Sequence, residues 1–280
     1  VVYTVTPVSG AQGTCPGASF TVTVTVNSKP EIPNQTATIC SGAAFTTTLT
    51  NGNPSATTIV PASTTYTWTV ATNANVSGQS DQTVGQSTIS QTLTNLTNTV
   101  QTVVYTVTPT SGAQGTCLGA TFTITVTVNP KPTIANETTS ACSGNLFTVT
   151  PVTGGANSNI IASGTTYTWA IPTVTGGLTG GVLGTAQTSI FGTLTNPTNV
   201  PQTATYTVTP ISGSCTGATF TVVATVNPKP VIPNQTAAIC SGTTFTTSPT
   251  NTAPTTIVPS GTTYTWTVAA NINVTGQSAQ

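Results

Sequence analysis

The pentapeptide Tyr-Thr-Val-Thr-Pro recurs at residues 3–7, 105–109 and 206–210, each time followed by a loop cysteine and a Thr/Val-rich run that ends in Val-Asn. A period of roughly 100 residues is too long for a solenoid turn or a propeller blade and suits one self-contained sandwich per repeat. Fold and function therefore have to be argued for a tandem array.

The linkers set the phase of the repeat. Val26-Asn27-Ser28-Lys29-Pro30, Val128-Asn129-Pro130-Lys131-Pro132 and Val226-Asn227-Pro228-Lys229-Pro230 each close a Thr/Val strand and open a new extended segment. Residues 1–29 are read as the last strands of one repeat, 30–129 and 130–228 as two complete repeats, and 229–280 as the first strands of another. The sequence opens inside a strand motif and stops in a loop, as an excerpt of a longer polypeptide would. Short, proline-containing linkers without Gly/Ser tracts predict neighbours held as semi-rigid rods.

Within a repeat, large side chains alternate with threonine. In Tyr66-Thr67-Trp68-Thr69-Val70 and Phe122-Thr123-Ile124-Thr125-Val126 one face packs while the other is wet. About seven such strands per repeat, with no helical period, predict an all-β chain of tandem antiparallel β-sandwiches. Trp68, Trp169 and Trp266 fall in the packing register of the third strand, where an immunoglobulin-like sandwich keeps a core tryptophan. With Tyr105 and Tyr206 they are the expected core aromatics, read as core in preference to an exposed sugar-binding platform.

Charge excludes several function classes. The 280 residues hold 3 Lys+Arg, 3 Asp+Glu and no histidine, with 36% hydrophobic residues. Zero net charge removes the electrostatic case for nucleic acid or an anionic membrane, and no apolar run approaches the ~20 residues of a membrane span. Without histidine there is no Ser-His-Asp or Cys-His arrangement, and three scattered acids cannot supply a carboxylate pair per repeat. No enzyme, cofactor or metal is expected. The linker lysines Lys29, Lys131 and Lys229 are read as solubilising the junctions.

Cys-Ser-Gly before a Phe-Thr strand (Cys40, Cys142, Cys240), then Thr-Tyr-Thr-Trp, Tyr-Thr-Val-Thr-Pro, a Gly-rich loop with one cysteine and Val-Asn-Pro-Lys-Pro together resemble the PKD-like and Ig-like repeats of Bacteroidetes surface proteins. The likeness spans the whole chain, and its nearest parallel is the large gliding-motility adhesins exported by type IX secretion. It implies an extracellular, cell-attached stalk or filament whose partners are neighbouring repeats and lateral copies. The competing reading is a multivalent glycan- or surface-binding array with one weak site per repeat. Calcium-stiffened junctions need clustered carboxylates, and only Glu31, Asp81 and Glu137 exist.

Six cysteines in such a chain read as disulfides. In an immunoglobulin-like strand order Cys40 and Cys142 lie at one end of their sandwiches and Cys117 and Cys215 at the other, too far apart for the ~7 Å limit on bonded Cα atoms. The favoured pairing is therefore Cys40–Cys215 between consecutive repeats, leaving Cys15, Cys117, Cys142 and Cys240 for further repeats. The alternative is pairing within a repeat, Cys40–Cys117 and Cys142–Cys215. Sequons at Asn34, Asn75, Asn95, Asn136, Asn234 and Asn273 are glycan acceptors by pattern, and in a chain this rich in Asn and Thr they also arise from composition alone. O-linked sugar on threonine is the other decoration the composition allows.

Overall fold

The computed structural model describes residues 1–10, 13–112, 116–154 and 158–280, and among them every regular element is a β-strand. β1 (Val2–Val5) and β2 (Phe20–Thr23) form an antiparallel pair. A sandwich follows from β3 (Gln35–Cys40), β4 (Ala43–Thr47), β5 (Thr65–Ala71), β6 (Val76–Ser77), β7 (Gln82–Gln86), β8 (Ile89–Asn95), β9 (Gln101–Thr110) and β10 (Phe122–Asn129). A second is built from β11 (Glu137–Cys142), β12 (Leu146–Val149), β13 (Thr166–Trp169), β14 (Thr173–Val174), β15 (Gly184–Gln187), β16 (Ile190–Thr193), β17 (Gln202–Ser212), β18 (Cys215–Thr216) and β19 (Phe220–Asn227). The chain divides at the middle linker into two compact units, Val1–Pro130 and Lys131–Gln280.

The two sandwiches share one topology. In the first, the sheet β3-β10-β9-β5-β7 faces the sheet β4-β8-β6; in the second, β11-β19-β17-β13-β15 faces β12-β16, with β14 and β18 added on β17. Neighbours pair antiparallel apart from the first and last strands, where β3 lies parallel to β10 and β11 parallel to β19. Ile124 sits opposite Gln35 and Asn129 opposite Cys40, so the first strand ends level with the last.

The two-residue period builds each core. In β10, Phe122, Ile124, Val126 and Val128 are buried while Thr123, Thr125 and Thr127 between them stay half-buried; β19 repeats the pattern with Phe220, Val222, Ala224 and Val226. Threonine suits the outer face because its branched Cβ favours the pleat and its hydroxyl stays wet. Full burial of each large apolar side chain contributes about 1.5–3 kcal/mol. The first core gathers around Phe45, Trp68, Leu93 and Tyr105, the second around Phe147, Trp169, Leu194 and Tyr206, and the two clusters share no residue.

Trp68 and Trp169 are buried in these cores, and each indole N–H donates to a backbone carbonyl, Ser80 and Val182 respectively, at 3.1 Å. Trp266 corrects the sequence expectation. It is 47% exposed, because residues 229–280 contain no counterparts of β9 and β10 to cover it. Tyr264 and Phe245 are exposed for the same reason, and Tyr3 of β1 and Phe20 of β2 are exposed as well.

Candidate functional site at the ends of the sandwiches

At the end where β3 stops, Cys-Ser-Gly forms the corner through which the chain leaves one sheet for the other. Ser41 N donates to Asn129 O and Gly42 N to Leu93 O, both at 2.8 Å. Gly42 takes a φ of +82°, Gly144 one of +81°, a left-handed conformation that side chains with a Cβ resist. The serine then clasps an asparagine on the opposite sheet. Asn95 N donates to Ser41 Oγ at 2.9 Å, and Asn95 Nδ2 donates to Thr99 O at 2.7 Å and Val128 O at 2.9 Å. Its Oδ1 accepts from Thr97 N and Thr97 Oγ1, each at 2.8 Å. Ser143, Asn196, Val226, Thr198 and Val200 repeat this cluster in the second sandwich. The clasp fixes Cys40 and Cys142 beside the last residue of the sandwich, where the following linker begins.

At the opposite end, the loop after the Tyr-Thr-Val-Thr-Pro strand is tied to the start of its own sandwich. Gly119 N donates to Pro109 O at 2.8 Å, and Gly217 N to Pro210 O at 2.9 Å. Backbone crosses so closely here that a Cβ on Gly119 would meet Pro30 O at 2.7 Å and one on Gly217 would collide with Pro132 O. The loop cysteines Cys117 and Cys215, two residues earlier, are thereby held beside the incoming linker.

Cys40 and Cys215 are disulfide-bonded. Cys15, Cys117, Cys142 and Cys240 are free thiols, so neither within-repeat pair, Cys40–Cys117 or Cys142–Cys215, forms. Cys215 is 1% exposed and Cys40 half-buried, whereas Cys15, Cys142 and Cys240 are exposed and Cys117 half-buried.

The remaining polar candidates are scattered. Among the described residues no group of three His, Cys, Asp or Glu could hold a metal, and no helix is long and apolar enough to cross a membrane. Asp81 caps a strand, its Oδ1 accepting from Val70 N at 2.7 Å. Lys29, Lys131 and Lys229 are exposed. The Asn95 sequon needs correction: this side chain is 3% exposed with its amide fully engaged in the corner, and no sugar can be carried on it. Its counterpart Asn196 is followed by Pro197, which bars N-glycosylation altogether. Asn34 and Asn136 are exposed but accept backbone N–H groups of Thr123 and Thr221 at 2.8 Å; Asn75, Asn234 and Asn273 are exposed. Burial pushes the buried phenols up, Tyr105 to about 12 and Tyr66, Tyr167 and Tyr206 in the same direction, which keeps them neutral core groups.

A sequence model of the PKD-like domain family matches residues 1–30, 37–132 and 139–230. No curated protein matches the chain. Solved structures to which the chain is similar include protocadherin gamma B2 extracellular cadherin domains 1–5 (11% identity, TM-score 0.25, 82% of this chain and 45% of that one). Others are mouse cadherin-23 EC22–24 (11%, 0.30, 73% and 68%) and the titin I-band fragment I67–I69 (9%, 0.28, 72% and 64%). The chain spans less than half the length of the protocadherin structure.

Proposed function

Because this chain belongs to the PKD-like domain family, we propose that it is the structural repeat region of a secreted bacterial surface protein, a stalk or filament. The proposed repeats are residues 30–129 and 130–228, flanked by parts of two others. They act as passive, non-catalytic spacers of an adhesin of the gliding-motility kind, outside a Bacteroidetes cell.

The observation that carries this reading is where the sequence spends its recurring residues. Cys-Ser-Gly, the buried Asn-x-Thr, the loop cysteine and the proline linker all recur at sandwich ends, where one repeat would hand over to the next. The bonded Cys40 and Cys215 belong to the same set: each is fixed at the end of its own unit that adjoins the Pro130-Lys131-Pro132 linker. The proposed pairing is Cys40 with Cys215 across consecutive repeats, with the four free thiols taking the same partners in adjoining repeats. The near-absence of charge suits a spacer that must neither steer ligands nor attract polyanions.

Small-angle scattering of the chain, with a glycan array alongside, tests the proposal. An extended array has a radius of gyration well above the about 19 Å of a compact chain of this length, and it leaves the glycan array blank. A compact radius, or binding to a defined sugar that follows repeat number, overturns it.

A further inference from the structure

Resting on the stalk reading, we propose that β3 is a self-pairing edge: two copies of the chain associate side by side through the first sandwich, joining their β3 strands antiparallel into one continuous sheet.

The two edges of the sheet β3-β10-β9-β5-β7 are unlike. β7 is closed to a further strand. Tyr66 stands opposite Gln86 and Trp68 opposite Gln82, so β7 carries a bulge, and a bulge twists an edge out of line. At its centre, Val84 O already accepts two side-chain amides, Gln82 Nε2 at 3.0 Å and Gln86 Nε2 at 3.2 Å. In a chain with almost no charge, these glutamines do what an edge lysine does elsewhere.

β3 has none of these guards. Gln35 to Cys40 include no charge, proline or glycine, and they keep one unbroken register against β10. Just beyond the strand, Ser41 N donates to Asn129 O. In that phase Gln35, Ala37 and Ile39 turn their backbone groups to β10, and Thr36 and Thr38 turn theirs outward. Among the described residues no strand pairs with that outward side. Burial agrees: Ile124, Val126 and Val128 of β10 are fully buried, whereas Ala37 and Ile39 pack on the same core and stay only half-buried at its open flank.

The occupant is a second copy. The ladder is two-fold symmetric when Ala37 faces Ala37 of the second copy. Thr36 of each copy then lies opposite Thr38 of the other, giving about four backbone hydrogen bonds and paired threonines on the outer face. The smallest side chain of the strand sits at the axis, and neither β3 brings a charge to repel the other. Such a contact is isologous and closes on itself, and because β7 is guarded the sheet grows no further. An edge pair is smaller than a standard interface, so it is weak between free chains and gains from stalks anchored side by side at high effective concentration.

The test is sedimentation equilibrium of the full chain with its free thiols alkylated, together with amide hydrogen exchange read by mass spectrometry at low and high chain concentration. The unmodified chain is compared with Thr38→Pro and Thr38→Lys. Proline removes only an outward N–H and leaves the β10 ladder intact; lysine keeps the backbone and adds an edge charge. The expected result is a reversible dimer of the unmodified chain, in which exchange of residues 35–40 slows with concentration while that of 82–86 does not. Both variants should lose the dimer and the slowing. A chain that stays monomeric across its soluble range overturns the proposal, as does association that Thr38→Lys retains or that slows exchange at 82–86. A compact radius of gyration for the monomeric variants would remove the stalk reading and leave the edge pairing standing.

Discussion

Tyr105 and Tyr206 hold the same place in the two sandwiches with different chemistry around the hydroxyl. Tyr105 Oη donates to Gln91 Oε1 at 2.8 Å. At the corresponding position of the second sandwich stands Gly192, and the buried Tyr206 hydroxyl has no hydrogen-bond partner. A buried hydrogen bond is worth about 1 kcal/mol net, while an unpaired buried hydroxyl is a cost. Tyr105→Phe is therefore expected to destabilise the first sandwich by about 1 kcal/mol, and Tyr206→Phe to leave the second unchanged or more stable. Denaturant midpoints of the two variants check this, and equal losses would contradict it. The same phenols set the alkaline limit. Burial raises Tyr105 to about 12, with Tyr66, Tyr167 and Tyr206 shifted the same way. Above pH 10 the unfolded chain gives up phenolic protons that the folded chain keeps, so stability present in full below pH 10 falls as pH rises toward 12. Denaturation midpoints followed from pH 9 to 12 should decline over that window, and a flat profile would rule out the buried phenols as its cause.

At the scale of the strand and corner, Asn95 and Asn196 are the residues whose loss should matter most outside the apolar cores. Removing the Asn196 side chain strands Val200 O, Val226 O and Thr198 N near the end of the sandwich. With about 1–3 kcal/mol for each buried group left unpaired and partial rescue by water, Asn196→Ala should cost about 2–4 kcal/mol, read as a shift of the second sandwich's urea midpoint. A neutral result would mean the corner is not a clasp. The strands themselves were legible in the sequence, since Phe122 to Val128 and Tyr66 to Trp68 carry the two-residue period without interruption. The clasp was not, because Ser41 and Asn95 lie 54 residues apart and Asn-Leu-Thr reads locally as a glycosylation site. Pro197 was the available signal: a sequon position that tolerates proline is kept for its turn. The parallel β3–β10 pairing was hidden in the same way, since nothing local to either strand says that the first and last elements of a sandwich are neighbours. The segments after the two tryptophan strands differ in pairing. β6 joins β8 in the first sandwich, whereas β14 joins β17 in the second. Trp266 was misplaced because its register is that of a core strand, and register says nothing about whether covering strands are present.

Across the whole molecule, two hydrophobic clusters without a common residue make two folding units on one chain. Energies of sites with no shared partners add, so damage to one core should leave the other's stability alone. Trp169 is the residue to remove. It is 3% exposed, its indole meets Tyr206 and Phe191 edge-on at centroid distances of 6.4 and 5.9 Å, and its N–H is engaged by Val182 O. Trp169→Ala should cost the second sandwich about 3–5 kcal/mol through lost packing and the cavity left behind. Under reducing conditions, which leave every cysteine a thiol, Trp68 fluorescence in the variant should report a first sandwich unfolding at its wild-type midpoint. The second sandwich, followed through the near-ultraviolet signal of Tyr167 and Tyr206, should unfold at much lower denaturant. If Trp169→Ala moves the reduced Trp68 transition as far as its own, the two cores are one cooperative unit and a reading of the chain as independent spacers in series fails.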